Sequence, residues 1–221
     1  MRSVSDEEER QRRGGAAPLM QLLVASRNRK KLAELNRVLE HAGVSGLRPV
    51  SLDDVPPYDE APETGATFED NALAKARDGY MATGLPCVAD DSGLTVDALN
   101  GMPGVLSARW SGSHGDDGAN TALLLDQLRD VPDERRGAAF VSACALVWGS
   151  GADHEVVVRG EWPGSITREP RGDGGFGYDP VFVPAGAVRT AAQLSPAEKD
   201  AESHRGRALA LLLPALRQLA G

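Results

Sequence analysis

Apolar positions along the chain fall into two rhythms. Leu22-Leu23-Val24-Ala25 is a short unbroken apolar run and predicts a buried strand. After the polar stretch "SRNRKK", Leu32, Leu35, Val38 and Leu39 recur at helical spacing until Gly43, a residue suited to ending a helix. Residues 44 to 66 are Pro- and Asp-rich and predict loop, with one short strand around Arg48 to Leu52. Phe68, Ala72, Ala76 and Tyr80 then recur every four residues, which predicts a helix from Thr67 to Thr83 with one buried stripe. "LPCVAD" reads as a strand that ends at the acids, followed by short extended pieces around Leu94 to Val96 and Ser107 to Trp110. Asp117 to Leu128 reads as helix. Gly137 to Trp148 and His154 to Glu161 read as two strands around the turn "GSGAD".

The last third begins with a glycine-rich loop, "GDGGFGYDP", which runs into the strand Val181-Phe182-Val183. "SPAEKDAESHRGRALALLLPALRQLA" is helical, with Ser195, Pro196 and Glu198 forming a capping box, and Pro214 is expected to kink or interrupt it. Helices and strands alternate early and strands cluster in the middle. The pattern predicts an α/β fold: a mixed sheet flanked by helices. Residues 1 to 18, "MRSVSDEEERQRRGGAAP", offer almost nothing to bury and read as a disordered extension, leaving residues 19 to 221 as one domain.

Composition narrows the function. The chain has 221 residues and a net charge of −8, which argues against coating nucleic acid but leaves room for a local basic pocket. No apolar run approaches the roughly 20 residues of a membrane span. Cys87 and Cys144 lie in apolar runs and suit buried thiols in a reducing, cytosolic compartment.

Four stretches carry candidate chemistry. "SRNRKK", residues 26 to 31, places Arg27, Arg29, Lys30 and Lys31 where a strand gives way to a helix, a place that favours an anion; a solvated basic turn fits the same residues. On the second helix Asn71 and Lys75 lie four apart and project together, with Glu63 just before it as a metal ligand or a loop acid. Asp90 and Asp91 are adjacent carboxylates of the kind a hard cation uses together with phosphate oxygens, although an Asp-rich turn explains them too. In the fourth stretch Phe176 and Tyr178 offer flat faces for a base, and Lys199, His204 and Arg205 lie close enough along a helix to share one pocket. A basic junction, a carboxylate pair, a stacking loop and a cationic cluster together suit a metal-bound nucleoside triphosphate. Ser92 has no partnered base nearby in the sequence, so attack by an activated water is the economical chemistry.

Six ordered blocks, "ASRNRKK", "ETGATFEDNALAKA", "ADDSGL", "GMPGVLSARW", "GGFGYDPVF" and "LSPAEKDAESHRG", resemble the inosine triphosphate pyrophosphatases, also called XTP/dITP diphosphatases. The resemblance spans the chain from about residue 20. It implies an elongated α/β fold of two lobes with a substrate cleft between them, and hydrolysis of ITP, dITP and XTP to the monophosphate and pyrophosphate. It also implies Mg²⁺ dependence and a cytosolic homodimer. By position, Ser26, Asn28, Lys31 and Lys75 would hold the triphosphate, amid the charge of Arg27, Arg29 and Lys30. Asp91 would hold metal and activate water, with Asp90 in support, Glu63 as a second metal ligand and Ser92 touching substrate. Phe176, Gly177, Tyr178 and Asp179 would frame the base, and Lys199, His204 and Arg205 would read its 6-oxo edge. The chain departs from the usual pattern at Arg27, where a glycine is common, and at Pro62, where many members carry an acid. Two other readings remain: a relative acting on pyrimidine or modified nucleotides, and a nucleotide sensor, which would not need Asp90 and Asp91.

Overall fold

The computed structural model describes residues 19–60 and 62–221. The expected disordered extension at 1 to 18 lies outside the described residues. Six strands form one mixed sheet in the order β2-β1-β3-β4-β5-β6, with β1 Met20–Val24, β2 Leu47–Val50, β3 Cys87–Val96, β4 Gly137–Val147, β5 Glu155–Ile166 and β6 Phe182–Pro184. β1 pairs parallel with β2 and with β3, whereas β3 through β6 are antiparallel neighbours. The α-helices are α1 Arg29–His41, α2 Phe68–Thr83, α3 Asp117–Gln127, α4 Pro196–Glu202 and α5 His204–Ala220.

The faces of the sheet are assigned by the pleat, because successive side chains of a strand point to opposite sides. Val88 packs in a cluster with Leu35 and Leu39 of α1 and Leu209, Leu212 and Leu216 of α5. Its neighbour Ala89 packs with Phe68, Ala72 and Ala76 of α2 on the opposite face. Farther along β3, Leu94 and Val96 join Leu124, Phe140, Trp162 and Phe182 in a third cluster. The long strands β3 to β5 thus run through three apolar clusters, which matches the expected elongated sheet. Each fully buried leucine contributes roughly 1.5–3 kcal/mol of transfer free energy.

Local chemistry explains most boundaries. Asn28 caps α1 by accepting from Lys30 N, and Thr67 caps α2 by accepting from Asp70 N. Gly43, at φ +64, follows the end of α1. The Ser195–Glu198 capping box opens α4 as expected.

Three expectations are corrected. The strand expected to end at Asp90 continues to Val96 as one ten-residue strand, because β4 pairs with it along its whole length. Ser107 to Trp110 is not extended; Gly104–Arg109 forms 3-10 helix. The final helical region breaks at Ser203, which caps α5, whereas α5 continues through Pro214 to Ala220. Gly160 lets that start of α5 approach the sheet: a Cβ there would lie 2.1 Å from His204 O and 2.5 Å from Ala208 N. Any larger residue at 160 would displace His204.

Candidate active site

Asp90 and Asp91 sit in mid-strand, opposite Cys144 and Ala143 of β4. Consecutive positions on a strand send them to opposite faces, and each meets its own cations. Asp90 Oδ2 accepts from Lys31 Nζ of α1 at 2.6 Å, and its Oδ1 accepts from Arg205 Nη2 of α5 at 3.0 Å. Burial works against the charge of Asp90, but Lys31 and Arg205 hold its carboxyl far below the usual carboxylate range. Arg205 Nε also lies at ion-pair distance, 3.2 Å, from Glu34 Oε2, without hydrogen-bond alignment. Repulsion between the two aspartates is therefore relieved by protein cations on separate faces.

On the α2 side, Asp91 Oδ1 accepts from Lys75 Nζ at 3.0 Å and Oδ2 accepts from Asn71 Nδ2 at 3.1 Å. Asn71 in turn accepts from Gly65 N at 2.7 Å, tying the loop before α2 to this carboxylate. Lys75 Nζ also contacts Glu63, which lies 3.6 Å from Arg109. The shifts are asymmetric. Burial raises the Asp91 carboxyl above its ordinary value despite Lys75 and Asn71, and the Glu63 charge adds to the rise. Burial also opposes the charge of Glu63, but the Lys75 hydrogen bond and charge, helped by Arg109 and His114, bring it below its ordinary value. Burial would lower Lys75, yet Asp91 and Glu63 raise it. One ammonium thus serves two carboxylates, and Asp91 is the less compensated of them.

The basic junction is partly engaged from outside. Arg27 pairs with Glu60 at 2.8 Å and Arg29 with Asp53 at 3.5 Å, both among exposed side chains. Ser26 Oγ accepts from Asn28 N, and Lys30 stands in the first turn of α1. Ser92 donates to Ser142 Oγ at 2.9 Å and so belongs to the Asp90 face.

The far end of the site is built on the loop before β6. Phe176 is 64% exposed, with Lys199 Nζ 4.5 Å from its ring centroid. Lys199 is also paired with Asp179, which accepts from Phe176 N at 2.8 Å. Tyr178 is buried, and its hydroxyl donates to Ser107 O at 2.8 Å, so Phe176 is the loop's exposed ring. His204 stacks on Phe140 at 5.1 Å, with its Nδ1 buried and without a hydrogen-bond partner among the described residues. Burial, with Lys199 and Arg205 nearby, pulls the imidazole down to about 3, so it is neutral near pH 7.

The structure therefore brings Glu63, Asn71, Lys75 and Asp91 together on one face and Lys31, Asp90, Ser92 and Arg205 on the other. Lys199 meets both Phe176 and Asp179, and its charge reaches His204, the residue before Arg205. Sequence reasoning singled out Asn71 without giving it a site role, and missed Glu34, Arg109 and Phe140. The four-residue spacing of Asn71 and Lys75 was the signal for the first. The others act across long separations that no local pattern reveals.

A profile described as the Ham1 family matches residues 22–215. The chain belongs to the Ham1 family. It is 80% identical over 204 residues to a Mycobacterium tuberculosis protein named dITP/XTP pyrophosphatase, covering 92% of this chain and 98% of that one. A Nocardia farcinica protein of the same name is 77% identical over 202 residues, with 91% and 97% covered. The crystal structure of a dITP/XTP pyrophosphatase from Mycobacterium abscessus is 74% identical, with a TM-score of 0.77 over 90% of this chain and 100% of that one. A HAM1 protein from Coxiella burnetii, 40% identical, aligns over 90% of this chain and all of its own, with a TM-score of 0.82. Ham1 membership accounts for the ordered blocks seen in the sequence and for the curled six-stranded sheet.

Proposed function

We propose that this chain hydrolyses deaminated purine nucleoside triphosphates, ITP, dITP and XTP, to the monophosphate and pyrophosphate. The observation that carries the reading is the pair of carboxylates, Asp91 and Glu63, converging on Lys75 Nζ. Two hard anionic donors, now sharing one ammonium, suit a divalent ion that completes its shell with phosphate and water oxygens. Mg²⁺ held by Asp91 and Glu63 would draw charge from the phosphate oxygens and lower the pKa of a bound water.

The chain's own residues do the rest. Lys31, Lys75, Ser26 and Asn28, with Arg27, Arg29 and Lys30 around them, hold the triphosphate at the start of α1, where backbone N–H groups also face anions. Asp91 takes the proton of the attacking water as it adds and the bond between the α- and β-phosphates breaks. The leaving pyrophosphate stays among the lysines. Asp90 keeps Lys31 and Arg205 in place, so phosphate and base ends share one anchor.

At the base end, Phe176 offers a stacking face with Lys199 against it, and the Lys199 charge reaches His204, the neighbour of Arg205. Donors set for a 6-keto oxygen are left unpaired, or opposed by another donor, when the amino group of adenine arrives. A cytosolic homodimer acting on free nucleotides goes with this reading, and both cysteines are free and buried, which suits a reducing compartment. The test is pyrophosphate release from ITP, dITP, XTP, GTP and ATP with Mg²⁺. Release from the first three and little from ATP is expected. No release from any of them overturns the hydrolase, and equal release from ATP overturns the selectivity.

A further inference from the structure

The loop that carries Phe176 is gripped from a side that no sequence motif announced. Two successive backbone N–H groups, of Phe176 and Gly177, point to two carboxylates. Phe176 N donates to Asp179 Oδ2 at 2.8 Å, and Gly177 N donates to Asp117 Oδ2 at 2.7 Å. Asp117 opens α3, but the helix does not need it as a cap. Asp116 already fills that role, its Oδ1 accepting from Ala119 N at 2.9 Å. The Asp117 carboxylate instead reaches a residue 60 positions away. One helical turn later, Thr121 Oγ1 donates to Gly177 O at 3.4 Å, so the same face of α3 holds both ends of this residue's backbone.

The space behind the loop makes that grip consequential. A hollow of about 410 Å³ lies between α3 and the loop, bordered by Gly118, Leu125, Pro170 and Phe176 itself. Side-chain packing therefore leaves the loop room to sink toward α3. Gly177 holds φ +58, a conformation that a glycine gives up easily when its hydrogen bonds are lost. Asp179 alone, already shared with Lys199, fixes only the N–H of Phe176.

We propose that Asp117 is a positioning residue for base recognition: it holds the Phe176–Gly177 peptide so that the exposed Phe176 ring stands at the height a purine needs for stacking. The inference rests on the nucleotide-hydrolase reading above. Its effect falls on the base and not on the triphosphate, because Asp117 bonds to the loop that carries Phe176, whereas Lys31 and Lys75 are held by Asp90, Asp91 and Glu63.

The experiment uses the full chain with Asp117→Ala and Asp117→Asn, compared by pyrophosphate release from dITP and by calorimetric binding of inosine monophosphate and of inorganic tripolyphosphate. In Asp117→Ala, KM for dITP and Kd for inosine monophosphate are expected to rise on the order of tenfold, the loss of one charge-assisted hydrogen bond. Its kcat and its tripolyphosphate affinity stay near native, and Asp117→Asn, which keeps an acceptor for Gly177 N–H, recovers most of the loss. Unchanged inosine monophosphate binding in Asp117→Ala overturns the proposal. So does an equal weakening of tripolyphosphate, which would mark general damage, or an Asn variant no better than Ala. A native protein that releases no pyrophosphate from dITP is a separate result, seen before any variant is made; it overturns the hydrolase reading, and the inference falls with it.

Discussion

Two sides of one strand make the instructive contrast. On the α1–α5 side, Asp90 is buried between Lys31 and Arg205, and its carboxyl lies far below the ordinary range. On the α2 side, Asp91 shares Lys75 with Glu63 and is raised above it. Adjacent residues of identical chemistry thus have opposite electrostatic fates. A depressed carboxyl stabilises the folded state, whereas a raised one costs stability at neutral pH.

The largest expected effect breaks the Asp91 side. Asp91→Asn should lower turnover of dITP by roughly 10²–10⁴-fold, the range general-base catalysis supplies. Its melting temperature should hold or rise, because the substitution removes a carboxylate whose burial opposes its charge. Turnover within a few-fold of native would remove Asp91 from the chemistry.

The Asp90 side should break differently. Asp90→Asn leaves Lys31 and Arg205 without their shared buried anion, which costs about 3–5 kcal/mol in urea unfolding. The sign with pH follows from the depressed carboxyl. The Asp90 contribution is fully present above its unfolded pKa near 3.8 and is lost as pH falls from there through the folded value. A native-like urea midpoint for Asp90→Asn would show that the two cations are held by something else.

His204 sharpens the contrast at the base end. Its folded pKa of about 3 lies below the unfolded 6.5, so the unfolded chain binds the extra proton between those values. Stability should therefore decline as pH falls from 6.5 toward 3, by up to about 1.4 kcal/mol per pH unit. In His204→Gln that part of the slope should vanish in urea titrations across this window; an unchanged slope would place the titration elsewhere. The smallest effect is expected of Phe176→Ala, which removes an exposed ring. KM for dITP should rise roughly tenfold, the scale of one base–aromatic stack, with little change in melting temperature. An unaltered KM would mean the base stacks on another surface.

What was legible in the sequence follows from the reach of each interaction. Thr67, Gly43 and the Ser195–Glu198 box act within a few residues, and the helix ends they signal are found in place. Asp90 and Asp91 resist local reading, since aspartate favours turns and strands seldom hold two in a row. Their strand persists because β4 pairs with it and because charge compensation comes from Lys31 and Arg205, 59 and 115 residues away. Pro214 is expected to kink or interrupt its helix; the helix is not interrupted and runs on past it, with Leu212 and Leu216 on either side buried in the core. Tyr178 looked like a stacking face beside Phe176, yet its hydroxyl finds Ser107 O and its ring joins the core. Asn71 could be placed beside Lys75 by spacing, but its partner Asp91 belongs to another element.

The division of labour between the two faces of β3 is tested most directly by single-turnover pyrophosphate release from dITP with Mg²⁺ by Asp91→Asn, measured beside Asp90→Asn and the native chain. Asp91→Asn should be a well-folded protein whose chemical step is slower by at least about 100-fold. Asp90→Asn should keep a measurable chemical step while melting earlier. An Asp91→Asn protein that releases pyrophosphate at close to the native rate would contradict the division of labour between the two faces of β3.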